Sequence, residues 1–100
     1  MADHITVFAQ FHAAPGKADQ LRELLLGLVE PTTAEPGCLH YMVHEELAKP
    51  GSFYFYEIFE DATALKAHAE SEHVRAAFAA AAPLLAEPVS VTPAKFIAGK

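Results

Sequence analysis

From His4 to Phe11 the chain reads HITVFAQF, rich in β-branched and aromatic residues and without a helical stripe. That pattern predicts a strand. Ala14-Pro15-Gly16-Lys17 then has the chemistry of a turn. Leu21, Leu24, Leu25, Leu28 and Val29 recur at i, i+3, i+4, i+7 and i+8, one apolar face of a helix. Gly27 weakens that helix slightly. Pro31 is expected to kink or end it, and Pro36-Gly37 marks a second turn. Leu39 to Leu47 and Phe53 to Phe59 predict two more strands. The short connection Ala48-Lys49-Pro50-Gly51-Ser52 makes them an antiparallel hairpin. Asp61 is placed to cap a helix whose apolar side carries Ala62, Leu65 and Ala69. Ser71 is a second cap, after which Val74, Ala77, Phe78, Ala81 and Leu85 continue a helical stripe. Pro83 is expected to bend this helix and Pro88 to break it. Val89 to Ala98 predicts the last strand, which Pro93 confines to a sheet edge or splits.

The order is β-α-β-β-α-β with the second helix in two pieces, over a single domain spanning residues 1–100. This is the pattern of a ferredoxin-like α+β fold: four antiparallel strands with helices on one face. A sheet with one face in water should alternate apolar and polar residues. The third predicted strand does not. Phe53, Phe55 and Phe59 share one face, and Tyr54, Tyr56 and Ile58 the other. The first strand sets Ile5, Val7 and Phe11 against Phe8. Two helices cover only one face, so the expected partner of the other is a second copy of the sheet, in a homodimer packed as a barrel or sandwich.

Composition narrows the function. The 100 residues carry 7 Lys+Arg against 13 Asp+Glu, a formal charge of −6, with 52% hydrophobic residues. A folded domain follows from the apolar content. The acidic balance argues against nucleic acid, which needs clustered cations. No basic amphipathic helix, no apolar run near ~20 residues and no leader pattern in MADHITVFAQFH are visible, so a cytoplasmic location without membrane contact is expected. Cys38 is the sole cysteine, which excludes an internal disulfide and a Cys-rich metal centre. No GxGxxG or Walker pattern signals a nucleotide or flavin.

Several segments, taken in order, carry a family resemblance. They are Pro15-Gly16-Lys17, Glu35-Pro36-Gly37-Cys38-Leu39, Tyr41, Phe55-x-Glu57-x-Phe59-x-Asp61 and His68-x-x-Ser71-x-His73. Together they resemble the antibiotic biosynthesis monooxygenase family, and within it the small quinol-monooxygenase-like members. The resemblance implies a dimeric α/β barrel of ferredoxin-like subunits, each with a pocket between sheet and helices. Several members oxidise phenols or quinols with O2 and use no flavin, metal or haem. Where members usually have Trp, this chain has Phe59, which keeps an aromatic plug and loses an indole N–H. At the positions that resemble those of haem-degrading relatives stand Ala9, His68 and Phe78. Ala9 cannot hydrogen-bond and Phe78 cannot ligate iron, so haem degradation is disfavoured.

His68 is the first candidate for chemistry. Three residues after Leu65, its ring should edge into the space between helix and sheet, where an imidazole can take a proton near neutral pH. Glu57, in the middle of an aromatic strand, should be partly buried with a raised pKa and could orient a histidine or bind a substrate hydroxyl. Tyr41, Phe55, Phe59 and Phe78 suit a flat aromatic substrate, and His73 is a polar group for the pocket mouth. No metal site is expected. His40 and His44 lie ~13 Å apart along a strand, and His68 and His73 fall on different faces even of a continuous helix. The expected function is a cofactor-independent monooxygenase that oxidises a quinol or polycyclic phenol with O2, with His68 as base and Glu57 as its partner. The alternatives are an isomerase or other proton-transfer enzyme on a small metabolite, and a non-enzymatic dimeric module that binds a small ligand.

Overall fold

The computed structural model describes residues 4–100. Met1 to Asp3, the head of the segment read as having no leader, lie outside the described residues. Strand β1 (Ile5–His12) leads through a turn at Gly16, whose φ is +77°, into helix α1 (Ala18–Leu26). Leu21 and Leu25 on α1, with Leu28 just beyond it, fill the core as their spacing requires. The break comes at Gly27 and Leu28, before the short helix α2 (Val29–Thr33). Pro31 therefore neither kinks nor ends a helix. It sits in the first turn of α2, where a missing N–H removes no intrahelical bond.

Strands β2 (Cys38–Glu45) and β3 (Ser52–Phe59) form the predicted hairpin. β2 stops short of Leu47, which is fully exposed, and a bulge between Cys38 and His40 shifts its register. The hairpin loop is fastened to α1: Arg22 makes two bonds of 2.8 and 2.7 Å to the Glu45 carboxylate, which also accepts the Gly51 N–H at 2.9 Å. Helices α3 (Ala62–Glu70) and α4 (Glu72–Ala81) are capped as predicted. Asp61 accepts the Ala64 N–H and Ser71 the Val74 N–H. Pro83 falls in a 3-10 turn, Ala82–Leu84, after α4 has ended. Strand β4 is Ser90–Ala94, shorter than expected at both ends.

The four strands are antiparallel in the order β2-β3-β1-β4, the ferredoxin-like arrangement. β4 is an edge, so Pro93 needs a ladder partner on one side only. The helices cover the face that carries Val7, Ala9, Phe11, Phe53, Phe55, Glu57 and Phe59, all buried. On the opposite face Met42, Tyr56 and Phe8 stand opposite one another in register across three strands. Phe8 and Met42 are 45% and 42% exposed, so this face is apolar and uncovered in the single chain. Among the described residues no helix is long and apolar enough to cross a membrane.

Candidate active site

The period-two alternation of β3 sends Phe55, Glu57 and Phe59 to the same side, beneath α3 and α4. Only one residue of α3 is buried, and it is His68, 7% exposed. The apolar side expected from Ala62, Leu65 and Ala69 is weak: Leu65 is half-buried and the two alanines are exposed. α3 is thus held against the sheet largely through an imidazole. Its ring lies 4.7 Å from that of Phe59 and 5.6 Å from that of Tyr41.

Above β1 and β3 is a cavity of about 270 Å³, walled mainly by apolar side chains that include Val7, Ala9, Phe11 and Val91. Tyr41, Phe55, Glu57, His68 and Phe78 line it. Phe78 is 38% exposed and packs edge-on to Phe11, so it stands at the mouth. Phe59 and His73 are not in the wall. Phe59 is fully buried behind the His68 ring, which it backs like a stop. His73 lies on the far side of His68, away from the cavity.

The polar side of the site runs through His68. Its Nδ1 is 3.1 and 3.2 Å from the two carboxylate oxygens of Glu35, and its Nε2 is 3.7 Å from Glu57 Oε1. His73 Nε2 is 2.7 Å from Glu35 Oε2. A carboxylate only accepts, so both imidazoles donate to Glu35. The neutral His68 ring then carries its proton on Nδ1 and turns a bare Nε2 toward Glu57 and the cavity. Burial lowers the His68 pKa below the usual histidine value, an effect larger than the opposing bonds from Glu35, with His73 adding to the lowering. Burial, with the charge of Glu35 second, raises Glu57 to about 7. Burial first, then the Glu57 charge, pushes the Tyr41 phenol upward, so it remains a neutral donor. Burial also raises the Cys38 thiol, in keeping with a small structural residue rather than a nucleophile.

The convergence of His68 and His73 corrects the expectation that they point to different faces. The chain is not one continuous helix there. Ser71 stands between α3 and α4 in an extended conformation, with φ −64° and ψ 152°, and its hydroxyl donates to the His68 carbonyl. That corner turns α4 back and brings the two rings to 6.3 Å.

Two site residues escaped the sequence reading. Arg75 lines the cavity from α4, one place off the apolar stripe, and is the only Lys or Arg in the wall among the described residues. Glu35 belonged to a turn segment that counted toward the family resemblance, and it was given no chemical role. That turn places it: Glu35 N–H donates to the Thr32 carbonyl, Cys38 N–H to the Glu35 carbonyl, and Glu60 N–H to the Gly37 carbonyl. Gly37 is required by close approach, since a Cβ there would collide with the Ala64 side chain on α3. Gly37→Ala is therefore expected to lower stability by about 1–3 kcal/mol, read as an earlier midpoint in urea denaturation. A variant as stable as the parent would show that the turn and α3 separate freely.

The family described as antibiotic biosynthesis monooxygenase matches this chain over residues 4–80. A Mycobacterium tuberculosis protein named "Putative monooxygenase Rv0793" is 35% identical over 92 residues, 92% of this chain and 90% of that protein. The solved structure of Rv0793 superposes with a TM-score of 0.91 at 31% identity, covering 97% of this chain and 98% of that one. The crystal structure of PA3566 from Pseudomonas aeruginosa gives 0.90 at 34% identity, with 98% of each chain covered. The sll1783 protein of Synechocystis is 28% identical over 89 residues, and this chain spans 60% of its length. The sequence resemblance and the fold reached independently from strand patterning meet in the same place: the chain belongs to the antibiotic biosynthesis monooxygenase family.

Proposed function

We propose that the protein is a cofactor-independent monooxygenase acting on a flat, electron-rich quinol or polycyclic phenol. The observation that carries this is His68. Glu35 holds its Nδ1–H, and its bare Nε2 faces an otherwise aromatic and aliphatic cavity. A phenol bound against Phe55 and Tyr41 would give its proton to Nε2. The phenolate is electron-rich enough to reduce O2, and the apolar walls keep water from the intermediates. The balance closes without an external reductant. A quinol and O2 give a hydroxyquinone and water, with two electrons from the quinol system and two from the C–H bond that becomes C–OH. Glu57, near its midpoint at neutral pH, can donate a hydrogen bond to a second ring oxygen. Arg75 at the wall suits an acidic substituent.

The row of exposed Phe8, half-buried Tyr56 and exposed Met42 supports a second copy of the chain packed on the outer face of the sheet. Light scattering should give the mass of two chains, and Phe8→Glu should shift it toward one. A monomeric parent protein would remove the dimer from this reading.

The test of activity is oxygen consumption by purified, chelator-treated protein with a panel of reduced quinols and polycyclic phenols. Uptake above autoxidation is expected. No uptake from any member would overturn the oxygenase reading. The pairing of His68 with Glu57 at 3.7 Å would then favour proton transfer within a small metabolite, which consumes no O2.

A further inference from the structure

Glu35, His68 and His73 reach one point from three elements: the turn before β2, the last turn of α3 and the first turn of α4. Glu35 Oε, His68 Nδ1 and His73 Nε2 all lie within 4.8 Å of one another. We propose that these three side chains bind a divalent first-row transition ion such as Zn²⁺, Co²⁺ or Fe²⁺. Two imidazoles and one carboxylate are the donor set of such ions, while Mg²⁺ and Ca²⁺ demand oxygen ligands.

Two of the three spacings are close to those of a formed site, and the third lies within 4.8 Å. Metal–ligand bonds of about 2.0–2.2 Å place neighbouring ligand atoms roughly 3.0–3.5 Å apart. Glu35 lies 3.1 Å from the His68 nitrogen and 2.7 Å from that of His73. An ion replaces the two shared protons, and each ring moves its proton to its other nitrogen. For His68 that nitrogen is Nε2, which faces the buried Glu57 carboxyl. A carboxyl group behind a metal-bound histidine is the usual outer partner of such a ligand: it accepts the second N–H and fixes the ring. Phe59 and Tyr41 pack against the same ring.

A cleft separate from the aromatic cavity reaches Glu35 but neither histidine; Ser71, Glu60 and Asp61 also line it. His73 keeps 27% of its side chain exposed and Glu35 19%, which leaves coordination positions to water. The acidic cleft and the overall charge of −6 favour cation entry. Ion binding and proton uptake at His68 exclude each other, because an ion on Nδ1 leaves Nε2 protonated. The bound ion would therefore act as a brake on any base chemistry in the cavity.

The experiment needs no organic substrate, so it stands or falls separately from the oxygenase reading. Chelator-stripped full-length protein is titrated with Co²⁺, and its visible ligand-field absorption is followed. One Co²⁺ per chain is expected, displaced by Zn²⁺ and not by Mg²⁺. His73→Ala and Glu35→Gln should each weaken binding at least about tenfold, the scale on which even outer-shell partners act. His4→Ala and His40→Ala should leave it unchanged. Circular dichroism of the ion-free variants checks folding, and Glu35→Gln carries the test if His73→Ala does not fold. No ligand-field bands in excess Co²⁺ would overturn the proposal. So would bands of equal affinity in the folded His73→Ala or Glu35→Gln variant, or bands lost with His40.

Discussion

His68→Ala is expected to lower turnover by about 10²- to 10⁴-fold, the usual contribution of a positioned general base. The loss should fall mainly on kcat, because the apolar walls that bind the ring remain. In the parent protein, kcat/KM should rise with pH as His68 loses its proton, at a value held below the ordinary histidine pKa by burial. It should fall again as Glu57 ionises near pH 7, since a second charge in the wall repels the phenolate. Initial rates across pH, in the presence of a chelator, read both limbs. The variant should lose the acidic limb along with the rate. Turnover and pH profile unchanged in a folded His68→Ala protein would remove this residue from the chemistry.

Glu57→Gln is expected to stabilise the protein at alkaline pH. Folding raises the Glu57 carboxyl from 4.5 to about 7. Between those values the folded chain holds a proton that the unfolded chain has released, so stability falls as pH rises through the window and stays reduced above it. A shift of that size corresponds to about 3 kcal/mol, at roughly 1.4 kcal/mol per pH unit. His68 works in the opposite sense. Its pKa is lowered on folding, so its contribution grows as pH rises toward 6.5. Comparing the variant with the parent removes that background to first order. Urea denaturation near pH 4 should show little difference between them, and at pH 8 the Gln variant should be more stable by about 2–3 kcal/mol. An equal difference at both pH values would mean that the buried carboxyl does not carry the cost.

That cost sits where function would require it. Glu57 interrupts the row of Phe53, Phe55 and Phe59, and a fourth apolar residue there would close the core more favourably. Phe59 illustrates a related division of labour. Its sequence position resembles that of a pocket aromatic, yet it is wholly buried and acts by backing the His68 ring. Its influence on a substrate would pass through the histidine.

The amino-acid sequence by itself determined the element order, the caps at Asp61 and Ser71, the hairpin, the two alternating rows of β3 without deciding which of them faces the helices, and the turning of His68 toward the sheet. All of these are set within a few residues along the chain, by periodicity, capping and turn chemistry. It also announced the uncovered apolar face, because alternation fails on both sides of the same strand. The first helix break was misplaced, since the local cost of Pro31 vanishes in the first turn of a helix and Gly27 was the weaker-looking signal. Only the tertiary structure decided the polar half of the site. Glu35 and His68 are 33 residues apart and Glu35 and His73 are 38 apart, with no period to link them. Their meeting depends on a close approach of backbone at Gly37 and on the corner at Ser71, which turns two short helices toward each other. The partner that orients His68 is therefore Glu35, reached across the fold, while Glu57 faces the ring's other nitrogen from the cavity wall.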